Sequence, residues 1–214
     1  MSLRVHLICH AATTATRRAV FGGDGPLLDG AARRVADLRP HLPKARAVLR
    51  SDARCAAETA AALGLAGQAV VDPAVADWDF GAWRGRSLAE VEAAEPEAVV
   101  AWRTDPTAAP HGGECLKDVL GRVRVWLDAL DGEGTRTVVT HPSVIRAAVV
   151  CGLRVPDEAF WTIDVAPTSV TELLRRGTRW RVARINWEPA LFRDPRPQPR
   201  PAAPVPAAPA ERAS

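Results

Sequence analysis

No two of the four cysteines, Cys9, Cys55, Cys115 and Cys151, stand in a Cys-x-x-Cys spacing. That argues against a zinc ribbon and leaves free thiols in apolar or helical stretches, as a reducing cytoplasm would keep them. There is no dense Lys/Arg block and no interleaving of basic and aromatic residues, so nucleic acid is not an expected partner. No run is long and apolar enough to cross a membrane. The opening residues, MSLRVHLICH, lack the apolar core of a signal peptide. No internal repeat is visible. The expected location is the cytoplasm, with no membrane partner.

What is present is globular. Hydrophobic residues make up 47% and charged residues 25% of a 214-residue chain, and the net charge is +3. That length carries one domain with a full core. The composition shifts at Asp194, where prolines at 195, 197, 199, 201, 204, 206 and 209 remove backbone donors and fix φ. Residues 1–193 read as the folded domain and 194–214 as a disordered Pro/Ala-rich tail.

Within the domain, short apolar runs alternate with helical periodicity. Residues 5–9, 47–49, 70–71 and 136–140 read as strands, and 162–165, 169–175 and 180–185 as further ones. Helices are expected over 30–38, 53–63 and 144–151, from Ser87, from Pro96, and over 116–130. Strands separated by helices predict an α/β fold. The expected form is a three-layer sandwich with a mostly parallel central sheet and helices on both faces.

In such sheets ligands bind beyond the carboxyl ends of the strands. His10 directly follows the first strand and His141 follows the strand over 136–140. Each precedes a short turn and a helix start, where backbone amides favour an anion. Arg54 follows the second strand through Ser51 and Asp52. Two imidazoles and a guanidinium therefore meet at one edge if these strands are neighbours.

The chain resembles the histidine phosphatase superfamily, which includes the cofactor-dependent phosphoglycerate mutases and many small phosphatases. The opening Arg-His-Gly-Glu-Thr of that family stands here as Cys9-His10-Ala11-Ala12-Thr13. Its Ser-x-x-x-Arg-x-x-x-Thr-Ala stretch stands as SDARCAAETA from Ser51 to Ala60, and its Glu-x-x-Phe-Gly-x-Trp-x-Gly segment as DWDFGAWRG from Asp77 to Gly85. Its Gly-Gly-Glu-Ser stands as Gly112-Gly113-Glu114-Cys115, and its second-histidine motif as THPSVIR from Thr140 to Arg146.

The resemblance implies a phosphatase acting on a small phosphorylated metabolite through a phosphohistidine on His10. It implies Arg54 as a phosphate clamp, His141 as a donor to the transferring group, and Asp77, in place of the usual Glu, as the acid for the leaving oxygen. Thr16, Arg17 and Pro142 are candidate substrate contacts. No cofactor or metal is expected. In particular Cys9 and His10 are strand neighbours that point to opposite faces. Oligomeric state is left open.

The departures carry weight. The family's first arginine aligns with Cys9, and Pro142 replaces a small glycine. Three readings stay open: Arg17 or Arg18 supplies the missing cation, the enzyme is slow or tuned to an unusual substrate, or the domain is an inactive relative that binds a phosphorylated ligand or a partner.

Overall fold

The computed structural model describes residues 2–188. The proline-rich segment 194–214 lies outside the described residues. Chain order is β1 (Leu3–Cys9), α1 (Thr14–Arg17), α2 (Ala31–Leu38), β2 (Ala47–Arg50), α3 (Arg54–Ala62), β3 (Ala69–Val71), α4 (Leu88–Ala94), α5 (Pro96–Thr104), α6 (Leu116–Ala129), β4 (Gly134–Thr140), α7 (Pro142–Leu153), β5 (Val170–Arg176) and β6 (Arg179–Trp187).

The sheet order is β3-β2-β4-β1-β5-β6. The β2–β3, β2–β4 and β1–β4 pairs are parallel, while β5 pairs antiparallel with both β1 and β6. β1 is central and buried on both faces at every residue except Arg4, which is why it reads as a continuous apolar run rather than an alternating one. The β5–β6 hairpin turns at Gly177 and Thr178, where Gly177 takes φ 61°, the left-handed conformation such turns require.

The α/β sandwich has its two helical layers where the pattern placed them. On one face Leu3, Val5 and Leu7 of β1 pack with Val91, Val99, Leu120, Val123, Val144 and Ile145 of α4 to α7. On the other, Ile8 and Val139 pack with Val35 and Leu38 of α2 and Ala56 and Ala60 of α3. One strand expectation fails. Residues 157–162 form a 3-10 helix, and the first sheet strand after α7 begins only at Val170. Residues 163–166 take no regular structure, and Phe160, just before the expected strand at 162–165, is 1% exposed and fills the core.

Two loops close over the carboxyl end of the sheet. Trp78 is 1% exposed, stacks on Phe80 at 5.4 Å between ring centres, and donates from its indole N–H to the Glu114 carbonyl at 2.6 Å. The loop around Gly81 and the loop around Gly113 touch backbone to backbone. A Cβ on Gly81 would stand 2.1 Å from the His111 carbonyl oxygen, and one on Gly113 2.0 Å from that of Asp79. Only glycine fits at either position.

Candidate active site

The parallel register of β1 on β4 pairs Cys9 with Thr140, so the residues that follow leave the sheet side by side. These are His10 and His141. The His10 backbone N–H donates to the Thr140 carbonyl at 2.9 Å, and the two rings lie 5.0 Å apart, edge to face. Each residue is only 4% exposed.

Hydrogen bonds fix the roles of the ring nitrogens. Nδ1 of His10 is 2.9 Å from the Ala11 carbonyl oxygen, which can only accept. Nδ1 therefore carries the proton and Nε2 keeps its lone pair. The Ala11 loop is itself pinned, since its N–H donates to Thr59 Oγ1 at 3.0 Å and that hydroxyl donates to the Cys55 carbonyl at 2.7 Å. Burial, then the neighbouring His141, lowers the pKa of His10 below the usual histidine value. The ring is thus neutral and nucleophilic near pH 7.

His141 sits between two partners. Its Nδ1 faces Asp77 Oδ2 at 3.5 Å, and its Nε2 is 2.8 Å from Ser51 Oγ. With the Nδ1 proton turned to the carboxylate, the Ser51 hydroxyl donates to Nε2. Asp77 is held in turn at Oδ1, which accepts from the Trp78 N–H at 2.8 Å and the Ser143 hydroxyl at 2.7 Å.

Beside them opens a cleft of 340 Å³ whose lining includes His141 and Asp77, while His10 lies behind His141 and is not among the lining residues. Its charge is mostly negative. Asp24, Asp52, Asp77, Asp79 and Glu114 line it, against Arg84 and Arg122. Arg122 is committed to its neighbours. It grips Glu114 from Nε and one terminal nitrogen at 2.8 and 2.9 Å, and its other terminal nitrogen donates to the Ala74 and Ala76 carbonyls at 3.0 and 3.1 Å. Arg84 faces Asp79 at 3.6 Å and donates to the Gly22 carbonyl at 3.4 Å.

The structure brings His10, His141 and Asp77 together and leaves other expected contacts outside. Arg54 opens α3 with its side chain 61% exposed, and its Nε donates to Glu58 at 2.7 Å. The residue that faces the histidines is Cys55. Its sulfur and one ring nitrogen from each of His10 and His141 lie within 4.8 Å of one another. The spacing of the motif agrees: the fourth residue after Ser51 is Cys55, one beyond Arg54. The expected clamp at Arg54 is therefore corrected by one helical position: the side chain at the histidines is Cys55, a thiol that offers no cation.

Thr16 is also spent elsewhere. Its hydroxyl donates to the Thr13 carbonyl and accepts the Thr13 N–H, both at 2.8 Å, closing the cap of α1. Arg17 and Arg18 are exposed and neither is among the cleft-lining residues. Pro142 is the first residue of α7, where a missing N–H costs nothing, and it too is not among those residues.

Asp24 went unseen in the sequence. Ala53 cannot cap α3, and the Asp24 carboxylate, from a distant loop, takes the N–H groups of Arg54 and Cys55 at 2.8 and 3.0 Å. Burial of Asp24 opposes its charge, but these backbone donors outweigh it and hold its pKa below the usual carboxylate value. Burial, with Asp24 beside it, pushes the Cys55 thiol up to about 12. Cys9 is fully buried and its thiol is raised further still by desolvation.

The family profile of the histidine phosphatase superfamily (branch 1) matches residues 5–188. Among curated proteins, a bifunctional protein of Mycobacterium tuberculosis is 36% identical over 138 residues, which are 61% of this chain and 38% of that protein. Glucosyl-3-phosphoglycerate phosphatase of Mycobacterium tuberculosis is 34% identical over 122 residues, 51% of this chain and 55% of its own. The matches thus span less than two thirds of these relatives. The solved structure of a mycobacterial glucosyl-3-phosphoglycerate phosphatase superposes with a TM-score of 0.75 at 25% identity, covering 87% of this chain and 99% of that one. A solved mycobacterial hydrolase superposes at 0.77 and 26% identity, covering 88% and 100%. With the profile matched across nearly all the described residues, the chain belongs to the histidine phosphatase superfamily.

Proposed function

We propose that this protein is a phosphoric monoester hydrolase acting on a small phosphorylated metabolite, with His10 as the group that takes the phosphoryl. The observation that carries this reading is the hydrogen bond from His10 Nδ1 to the Ala11 carbonyl, which leaves Nε2 bare on a buried, neutral ring. Nε2 attacks phosphorus and the ester oxygen leaves. In the reacting form Asp77, which lines the cleft, holds a proton on Oδ2 in place of the His141 contact and gives it to that oxygen. Water then attacks the phosphohistidine, passes a proton back to Asp77 and frees phosphate and His10. His141 stands beside His10 with ring centres 5.0 Å apart, and donates to the transferring oxygens once its Nε2 takes up a proton and gives up the Ser51 contact. Two of the relatives are named as glucosyl-3-phosphoglycerate phosphatases, and a small phosphorylated metabolite of that class is the proposed partner. The proposed compartment is the cytoplasm, where four thiols stay free. The proposed domain spans 1–193, with 194–214 as a tail.

The test is turnover of a phosphomonoester panel that includes glucosyl-3-phosphoglycerate and p-nitrophenyl phosphate, with chelator present. Trapping of an acid-labile, alkali-stable phosphoprotein accompanies it. The wild type turns over and traps label, and His10→Ala loses roughly 10³-fold or more in rate and all label. An active His10→Ala overturns the nucleophile.

A second reading has its own observation. Both positions where the motifs carry arginine hold buried cysteines, Cys9 and Cys55, and the cleft arginines are already engaged. That favours a binding domain without turnover. A wild type that is inert across the panel but binds a phosphoester would establish it.

A further inference from the structure

We infer that His10, His141 and Cys55 form a binding site for a transition-metal dication of the Zn²⁺ and Co²⁺ class. Cys9 and His10, as strand neighbours, point apart and cannot share an ion. The structure supplies a different cysteine, from α3 rather than β1, and brings it to both rings.

The first observation is the donor set. Two imidazole nitrogens and one thiol sulfur lie within 4.8 Å of one another, and all three residues are buried. Ligand atoms around a tetrahedral ion with bonds of 2.0–2.3 Å stand about 3.3–3.8 Å apart. An approach of about 1 Å, within the reach of small side-chain rotations, completes the site. Two nitrogens and one sulfur suit a borderline-soft ion rather than Mg²⁺ or Ca²⁺.

The second observation is the outer shell. A metal-ligating histidine donates its other ring N–H to a carbonyl or carboxylate. His10 does so to the Ala11 carbonyl at 2.9 Å, and His141 turns Nδ1 to Asp77 at 3.5 Å. Both rings are thereby held with Nε2 free of a proton. Ser51 occupies Nε2 of His141 at 2.8 Å and is a hydroxyl that an ion displaces.

The third is charge. Asp24, Asp52, Asp77, Asp79 and Glu114 outnumber Arg84 and Arg122 along the cleft beside the site, so a cation is accommodated there. A bound dication is the largest local charge and deprotonates a coordinating thiol outright, with the proton released to solvent. Three protein ligands leave a fourth position open to the cleft.

Metal binding does not rest on the phosphatase reading, but one consequence does. An ion on Nε2 consumes the lone pair that attack on phosphorus needs, so metal and phosphoryl transfer exclude each other at His10.

The experiment titrates the full chain, stripped with chelator and kept reduced with a phosphine, with Co²⁺. Expected are one equivalent bound, visible bands of tetrahedral Co²⁺ and a near-ultraviolet thiolate-to-cobalt band. Zn²⁺ displaces them. Cys55→Ser loses the thiolate band, and affinity falls more than about 100-fold, beyond the range for outer-shell partners. Cys151→Ser keeps both. His10→Gln is the second variant and weakens binding as strongly without touching the sulfur. Circular dichroism verifies that each variant is folded. A wild type without the thiolate band, or a band that survives in folded Cys55→Ser, overturns the site. These optical readouts need no turnover, so an inert wild type overturns the phosphatase reading and leaves the metal site standing. If the wild type does turn over, Zn²⁺ suppresses it and chelator restores it.

Discussion

One residue along α3 turns a side chain by about 100°, and that step separates Arg54 in solvent from Cys55 at the histidines. The order of the motifs was legible in the chain, and it brought His10, His141 and Asp77 into one site. The phase of the helix was legible too, since Ser-x-x-x-Arg counted from Ser51 ends on Cys55, but the adjacent Arg54 offers a charged residue where charge is sought. Position 55 aligns with the arginine of the motif that the chain resembles, and a thiol there supplies no cation. Restoring it gives the first prediction. Cys55→Arg raises kcat/KM for p-nitrophenyl phosphate by roughly 10- to 10³-fold, the range for one transition-state donor. Arg54→Ala, whose guanidinium pairs with Glu58 on the surface, stays within about twofold of wild type. Arg17→Ala and Arg18→Ala stay within the same limit, since neither side chain lines the cleft. Steady-state kinetics in chelator measures all four. A large loss in Arg54→Ala with no gain in Cys55→Arg would return the clamp to position 54.

At the scale of elements, the cleft is built by two loops and one helix end, each held by a partner far away in sequence. Arg122 on α6 ties Glu114 to the carbonyls of Ala74 and Ala76, and Asp24 caps α3 from another loop. Sequence periodicity finds α6 and α3 but not these ties, because a cap or clamp supplied from thirty or more residues away leaves no local pattern. Gly113, the second of the paired glycines before Glu114, makes a close backbone approach to Asp79. Adding one methyl there tests the loop architecture. In Gly113→Ala the new Cβ would stand 2.0 Å from the Asp79 carbonyl oxygen, so backbone must move in both loops. The expected cost is about 2–4 kcal/mol in urea unfolding, with turnover falling as Asp77 loses its register. Gly25→Ala, with open space around its Cβ and no positive φ, is the control and shifts stability by less than about 0.5 kcal/mol. Equal stability in the two variants would show that the loops do not meet as tightly as the backbone contact implies.

Over the whole molecule, alternating strands and helices made the three-layer arrangement readable, and the buried β1 run marked its centre. What periodicity could not show is how much polar chemistry the core tolerates. His6 on β1 is 6% exposed and His111 beneath the aromatic loops is 3% exposed. Desolvation leads in lowering the pKa of each, only partly offset by Glu172 at His6 and by Asp79 at His111. The linkage has a definite sign. In the unfolded chain both rings take a proton near pH 6.5, whereas in the fold they resist it to lower pH. The unfolded state therefore binds more protons below about pH 6.5, and stability falls as pH drops through that value. Each such ring contributes a slope of at most about 1.4 kcal/mol per pH unit. Carboxylates with lowered values, such as Asp24 and Glu58, act in the same direction but in a more acidic window. Urea unfolding at pH 7.5 and pH 5.5 therefore shows a less stable protein at the lower pH. In His111→Gln, whose side-chain oxygen can accept the Gly113 N–H now bound by Nδ1 at 3.1 Å, the difference shrinks. A wild type as stable at pH 5.5 as at pH 7.5 would mean that these rings are solvated enough to take up protons in the folded state.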